Sequence, residues 1–353
     1  MDFTIEEEYF EVNDDTPILP DDVLVIILSK LSWKEINIAK HVSRRFYNII
    51  NEKYHQLNRR KACCVAIKYD KNNDGHPFHV EMNLYRENSQ VVSVAYYTKT
   101  TNIKSVGELS SFLKMFDMGN LFDFYVYVAD HLDIFGILEG VFKIGSNIKF
   151  LDIEELTEKD FGSFQKFIKK FTSVEHLNIG HICAPLTGPG DLYSLLSLSS
   201  LNTLESFDIY ECNKTKILSS DIVSKLLINN PNLRSLTFGS MNCKFLESTS
   251  KEFSTVHQPS RMACKNRDRY IELILCSHGE IEHLSNVIKE SLGNLKNIEK
   301  FETLRYLGIS FFSEVIEIKS HVEDCKKCLR GGHKIKKCLY LCDESAYNGK
   351  LNH

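Results

Sequence analysis

Apolar side chains recur at helical spacing close to the start of the chain. They define one face of a predicted first helix: Val23, Leu24, Ile27, Leu28 and Leu31. Pro20 suits the first turn of this helix, where its missing N–H costs nothing. Asp21 and Asp22 follow, next to the positive end of the helix dipole. The pattern therefore predicts that an amphipathic helix begins at about Pro20.

Two further helices are predicted directly after the first. Ser32 and Glu35 have the spacing of a capping box, which starts a second helix with Ile36 and Ala39 facing inward. A third helix begins near Ser43 and presents three apolar side chains: Phe46, Ile49 and Ile50. These helices predict a small bundle over residues 17–56. Because such a bundle buries little surface by itself, we expect it to be marginal without a partner.

Strand patterns replace the helical ones after Tyr54. Runs of β-branched and aromatic residues at 62–69, 79–85 and 91–98 are separated by turn residues. These runs predict strands, and a meander is one arrangement open to them. We assign residues 57–120 as a strand-rich connector or as early units of the region that follows.

From about Leu121 one apolar spacing recurs, with a second apolar residue three positions after the first and a third two positions later. It is met at Ile148/Leu151/Ile153, Val174/Leu177/Ile179, Leu204/Phe207/Ile209, Leu233/Leu236/Phe238, Tyr270/Leu273/Leu275 and Leu304/Leu307/Ile309. The starts lie roughly 30 residues apart with helical patterns between them, which is typical of leucine-rich repeats. The predicted fold is α/β: a three-helix bundle followed by a degenerate leucine-rich-repeat (strand–helix) solenoid at 121–312. An α/β domain with coincidentally alternating strands is the alternative.

The bundle segment resembles the F-box family. The match runs from Leu19 and Pro20 through the first helix and Ile36 to Val42–Arg45, and covers about a tenth of the chain. Phe46 stands where family members usually have Trp. F-box segments dock on a Skp-family adaptor, which links them to a cullin scaffold in a ubiquitin ligase. The resemblance implies that the adaptor is bound by Leu19, Pro20, Leu24, Ile27, Leu28, Leu31, Val42 and Phe46.

The same resemblance implies that the rest of the chain selects an unknown protein substrate. In a leucine-rich repeat, the residues flanking the inward positions of each strand face outward on the concave side. The predicted substrate-binding residues are Phe150, Asp152, Glu154, Asn178, Asp208, Tyr210, Glu272 and Tyr306. Four of these are carboxylates, which favours a basic substrate segment, and the aromatic residues are candidate anchors. A convex edge or a long loop at 244–266 is the alternative surface.

Charge and cysteine content limit the kinds of ligand and metal site that we expect. The formal net charge of −4 gives no global basic field, so a nucleic-acid partner is not favoured. Residues 1–16 are predicted to be an acidic disordered tail, and residues 313–353 form a Cys/Lys-rich segment. Cys325, Cys328, Cys338 and Cys342 have spacings that would suit zinc, and a zinc-dependent nucleic-acid binder is a minor alternative. Because Ile335/Cys338/Tyr340 also fits the repeat spacing, we predict no metal and no cofactor.

The sequence lacks the signals that are typical of several classes of protein. The acidic start lacks the pattern of a secretory signal, and no apolar run reaches membrane-spanning length, so we expect a cytosolic or nuclear protein. The eleven cysteines are then expected to be reduced thiols or metal ligands. A phosphate-binding glycine loop and a nucleophile elbow are both missing from the sequence, so no catalytic residue is predicted. A repeat scaffold without a ligase role is the remaining alternative.

Overall fold

The computed structural model describes residues 19–73, 75–85, 96–128, 132–185, 187, 190–256, 269–277, 281–293, 298–304, 314–320 and 335–343. The chain divides into two compact units, Met1–Arg59 and Arg60–His353, called here the helical unit and the sheet unit. Each unit has its own hydrophobic core.

The helical unit contains the three predicted helices: α1 (Asp21–Leu28), α2 (Trp33–Ala39) and α3 (Arg44–Glu52). Its core consists of Leu24, Val25, Leu28, Ile36, Ile49, Ile50 and Leu57. The predicted capping box at the start of α2 is present, with the Ser32 hydroxyl accepting from the Glu35 N–H and the Glu35 carboxylate accepting from the Ser32 N–H at 2.7 Å. Local sequence signals therefore set the helix boundaries here.

The described residues of the sheet unit form one thirteen-stranded sheet, with helices between many of its strands. Its strands are β1 (Arg60–Tyr69), β2 (Phe78–Tyr85), β3 (Tyr96–Ile103), β4 (Phe116–Asp117), β5 (Asn120–Tyr127), β6 (Ser146–Thr157), β7 (Phe171–Cys183), β8 (Ser206–Glu211), β9 (Ser235–Ser240), β10 (Arg269–Ser277), β11 (Ile298–Leu304), β12 (Glu314–Ser320) and β13 (Ile335–Asp343). Its helices are α4 (Val106–Leu113), α5 (Ile134–Glu139), α6 (Phe161–Ile168), α7 (Leu192–Leu195), α8 (Asp221–Asn229), α9 (Cys243–Thr255) and α10 (Ile281–Gly293).

The first three strands form an antiparallel meander at one edge of the sheet. Strand β1 also pairs in parallel with β5, which joins the meander to the strands that follow. The sequence predicted strands here but left their relation to the later region open. The third predicted strand is shifted in the structure, where β3 begins at Tyr96; residues 91–95 lie outside the described residues.

Strands β5 to β10 are neighbours in chain order, and all five pairs are parallel. A helix lies between each consecutive pair along the chain. The recurring apolar residues are buried as predicted in the first four sets, and Leu273 and Leu275 are buried in the fifth. A further set with the same spacing, Leu121, Phe124 and Val126 of β5, is also buried and was missed by the sequence prediction.

The regular order ends after β10. Strand β13 pairs in parallel with β10, and β12 and β11 follow as antiparallel neighbours towards the far edge. The prediction that the unit starting at Leu304 continues the array is therefore wrong, because β11 lies at the edge. Residues 307 and 309 of that set lie outside the described residues. The spacing matched at Ile335/Cys338/Tyr340 places the core side of β13 one residue too early. In the structure Leu339 and Leu341 enter the core of the sheet unit.

Side-chain hydrogen bonds connect successive strand–helix segments of the sheet unit. Thr203 Oγ1 accepts from the Val174 N–H and donates to the Val174 carbonyl oxygen, both at 3.0 Å. Asn230 Oδ1 accepts from the Leu204 N–H at 3.0 Å. These bonds satisfy backbone groups that the sheet leaves free at the strand starts.

The segment considered as a long loop at 244–266 contains helix α9 instead. Phe245, Leu246 and Phe253 are buried on its core side. The helix contains several Ser and Thr residues, which have weak helix propensity, so tertiary packing decides its conformation. Among the described helices, none is long and apolar enough to cross a membrane.

Candidate protein-binding surfaces

Large apolar side chains remain exposed on the helical unit. The most exposed are Ile38 at 70%, Val42 at 68% and Ile26 at 61%, and Leu19, Val23, Ile27 and Tyr47 are exposed as well. So many exposed apolar side chains on so small a bundle favour a surface that a partner covers. Ile26 and Ile38 were not predicted as binding residues, although both fall outside the inward positions of their helices.

The eight residues that the resemblance assigns to the adaptor lie in three environments. Leu19, Pro20, Ile27 and Val42 are exposed. Leu24 and Leu28 are buried in the bundle core, and Leu31 and Phe46 are partly buried against it. The direct contact expected of Leu24 and Leu28 does not fit this placement, because α1 turns them inward one helical turn apart. These two residues stabilise the bundle that presents the exposed set.

Arg45 holds the Leu19–Pro20 segment against α3. Its Nε and Nη2 atoms donate to Asp21 Oδ1 at 3.0 and 2.6 Å, and Nη2 also donates to the Leu19 carbonyl oxygen. The Pro20 carbonyl oxygen accepts from the N–H groups of Val23 and Leu24. The carbonyl oxygens of Leu19 and Pro20 are thereby both hydrogen-bonded, which fixes the backbone that carries these two exposed side chains.

The second candidate surface is the face of the sheet opposite the core, called here the outer face. The strand register places Phe150 beside His176, and it places Asp152 beside Asn178 and Asn178 beside Asp208. These side chains alternate with the core residues of their strands and are half-buried. The alternation inferred from sequence therefore brings most of the predicted substrate residues together on one face.

Asp152 lies at the centre of a negatively charged group on the outer face. Asn178 Nδ2 donates to Asp152 Oδ1 at 3.0 Å. Burial, together with the charges of Asp208 and Glu154, raises the pKa of Asp152 to about 6, although the hydrogen bond from Asn178 lowers it. Among the described residues, Asn178 Oδ1 is buried without a hydrogen-bond partner. The group therefore has more acceptors than donors.

Aromatic rings from β5, β6 and β7 lie beside this group. The rings of Phe150 and His176 are stacked with centroids 4.2 Å apart, and Phe122 lies 5.5 Å from Phe150. The rings of Tyr125 and Tyr127 are stacked and nearly parallel, with centroids 5.9 Å apart. The three residues from β5 were missed because their strand was not recognised as a member of the repeating set.

The remaining predicted substrate residues differ in their placement. Tyr210 is on the expected face but only 1% exposed, packed with Cys276 and Cys342, so it is not available as an anchor. Glu272 is half-buried, and burial raises its pKa. Tyr306 lies outside the described residues.

Four cysteines are joined in pairs, Cys183 with Cys212 and Cys276 with Cys342. The expectation of reduced thiols is wrong for these four in the structure, because Cys276 and Cys342 are direct neighbours in the register of β10 and β13. Cys342 is therefore unavailable to the alternative zinc set; Cys338 is buried, and Cys325 and Cys328 lie outside the described residues. The part of the chain that the structure describes contains no cluster of three His, Cys, Asp or Glu residues suited to a metal ion.

Comparison with known proteins identifies the helical unit. No curated protein and no solved structure is significantly similar to the chain. The family model of the F-box domain matches residues 17–55, which include all three helices of the bundle. F-box domains generally bind Skp-family adaptors, and F-box proteins are typically non-catalytic subunits of ubiquitin ligases. This chain therefore carries an F-box domain at residues 17–55.

Proposed function

We propose that the chain is a substrate-recognition subunit of an SCF-type cullin–RING ubiquitin ligase. Its F-box domain binds a Skp-family adaptor, and its sheet unit binds the protein to be ubiquitinated. The observation that carries the proposal is the F-box match on a bundle whose apolar side chains are exposed. Such a subunit needs no catalytic residue, since it acts by raising the effective concentration of substrate near the ubiquitin carrier.

The order of strands β5 to β10 supports a receptor role for the sheet unit. Consecutive parallel neighbours with a helix between them are what a leucine-rich-repeat array requires. In such an array the outer face of the strands provides an extended binding surface. We therefore propose a degenerate leucine-rich-repeat region from β5 to β10, with the substrate bound on its outer face.

Capture of a purified Skp-family adaptor by the full chain tests the proposal. Replacing Leu19→Ala and Pro20→Ala together removes exposed side chains that Arg45 holds in place, while the bundle core stays intact. Loss of an interface hot spot typically costs about 2–4 kcal/mol, so we expect adaptor affinity to fall by about 30-fold or more. Ile144→Ala is the matched control, because this exposed apolar residue belongs to the sheet unit.

The two alternative outcomes have distinct meanings. Failure of the wild-type chain to bind the adaptor would contradict the ligase role and favour a repeat scaffold without one. Equal adaptor binding by wild type and the double variant, with the Ile144→Ala control unchanged, would remove Leu19 and Pro20 from the interface.

A further inference from the structure

The outer face contains one region where charge, hydrogen bonding and aromatic rings coincide. It is formed by Tyr125, Tyr127, Asp152, Asn178 and Asp208, called here the Asp152 site. The strand register aligns Tyr125, Asp152, Asn178 and Asp208 in one row across β5 to β8. Strand neighbours lie about 4.8 Å apart, so this row presents its side chains along a continuous line.

We propose that the Asp152 site binds an Arg or Lys side chain within an extended peptide segment of the substrate. This inference rests on the proposed function and names the class of segment that the sheet unit recognises. The proposed occupant is a cationic peptide side chain. It is favoured by the negative charge beside Asp152, by the excess of hydrogen-bond acceptors in the site and by the neighbouring aromatic rings.

The charges beside Asp152 are negative, and Lys68 lies at the Tyr127 end of the site. The main charged neighbours of Asp152 are Asp208 and Glu154, and those of Tyr127 include Asp152 and Glu154. Burial, together with the charges of Asp152 and Glu154, raises the pKa of Tyr127 to about 12. A bound cation would offset the repulsion among these groups in a partly buried setting, where a charge pair is worth more than in bulk water.

The site contains more hydrogen-bond acceptors than donors. Asn178 uses its amide N–H for Asp152, and its carbonyl oxygen is buried with no donor among the described residues. Asp208 accepts from Ser206 Oγ at 3.4 Å, and an ionised carboxylate has acceptor positions for more than one donor. A guanidinium carries five N–H donors in a planar fork and an ammonium carries three, so either ion matches this set of acceptors.

The neighbouring rings distinguish a peptide from a lone ion. Tyr125 offers a ring face beside the carboxylates, a setting that suits cation–π contact, whereas Lys68 Nζ already lies 5.5 Å from the ring centroid of Tyr127. Phe150 lies two residues before Asp152 on the same strand, about 6.6 Å along it, and is stacked on His176. An extended peptide places every second side chain on the same side at the same interval. We therefore expect an apolar side chain two positions from the basic one.

Lys149 determines which position the basic side chain of the peptide takes and which position the apolar one takes. Its Nζ lies 4.9 Å from the ring centroid of Phe122 and 5.5 Å from that of Phe150. A second cation over those rings would be repelled, whereas an apolar side chain would not. The basic residue of the peptide is thus directed to Tyr125 and Asp152, away from the rings over which Lys149 and Lys68 lie.

Selection from a random peptide library displayed on phage tests the proposal with the full chain as bait. The baits are wild type, the Asp152→Asn/Asp208→Asn variant, and Glu282→Gln as a control that removes an exposed carboxylate on helix α10. We expect wild type and control to select peptides with Arg or Lys two positions from an apolar residue. The selected peptides should bind the double variant about tenfold or more weakly, since charge-assisted hydrogen bonds are lost.

Three results would overturn the proposal: selected peptides without a basic residue, equal affinity for wild type and the double variant, or binding that requires added Ca²⁺. Thermal unfolding of the double variant verifies that it is folded, and we expect its stability to match or exceed that of wild type because like charges are removed. Capture of the adaptor by the same bait proteins separates the ligase role from the proposed peptide site. Adaptor binding without peptide selection contradicts only this inference, and peptide selection without adaptor binding contradicts only the ligase role.

Discussion

The ring of Tyr210 occupies space that a side chain on the neighbouring strand would otherwise fill. A Cβ atom added to Gly239 would lie 2.1 Å from Tyr210 Cδ1. We predict that Gly239→Ala displaces the ring and destabilises the protein by about 1–3 kcal/mol, as overpacking usually does. The measurement is the free energy of unfolding in denaturant.

Gly162→Ala is the control for this substitution, because nothing lies within 4 Å of the added Cβ and the residue is helical. It should leave stability unchanged or raise it slightly. Equal effects of the two substitutions would contradict the packing of Tyr210 on Gly239.

Lys337 is a buried cation inside the sheet unit. Its Nζ donates to the carbonyl oxygens of Phe253 at 2.5 Å and Val256 at 2.7 Å, at the C-terminal end of α9. Burial lowers its pKa to about 8 from the usual 10.5. Between these two pH values the unfolded state binds more protons than the folded state, so this group makes stability rise with pH in that window.

We predict that the stability difference between wild type and Lys337→Met changes between pH 7.5 and pH 9.5, in favour of wild type. The physical reason is that the cost of the buried charge is present in full below the folded pKa and falls as pH rises towards 10.5. Denaturant titrations at both pH values measure it. A difference that does not depend on pH would show that Lys337 titrates normally.

At the scale of elements, the Cys276–Cys342 bond joins β10 to β13 across 66 residues of sequence. Closing a loop of this length restricts the unfolded chain, and the entropic estimate of the stabilisation is about 4 kcal/mol. We predict that the Cys276→Ala/Cys342→Ala variant is destabilised by up to this amount in oxidising buffer. Thermal unfolding with and without reductant measures it.

Cys243→Ala provides the control for this prediction, since it removes a free thiol at the start of α9. Its response to reductant should equal that of wild type. If wild type and the double variant lost the same stability on reduction, the bond between β10 and β13 would not contribute.

At the scale of the whole molecule, the two cores predict that one unit can be destabilised without the other. Leu28 is fully buried in the helical unit. Leu28→Ala should cost about 2–5 kcal/mol, a large part of what so small a core supplies. Hydrogen exchange should show lost protection in α1 to α3 and unchanged protection in β5 to β9. Loss of protection in both units would contradict separate cores.

Local spacing in the sequence determined the elements that depend on near neighbours. The Ser32–Glu35 pair fixed the start of α2, and the apolar triplets from Ile148 to Leu236 identified the core side of four strands, because caps and strand alternation act within a few residues. The outer-face residues Phe150, Asp152 and Asn178 followed from the same alternation. The F-box segment was likewise identifiable, since its helices form a contiguous stretch.

The tertiary structure decided what depends on partners far along the chain. Strand β13 takes the place beside β10, which pairs Cys276 with Cys342 and leaves β11 at the edge. Tyr210 is buried because Gly239 of the next strand leaves room for its ring, and α9 is helical because its Phe side chains find the core. Periodicity states which side of an element is apolar, but pairing between distant strands decides which neighbour covers that side.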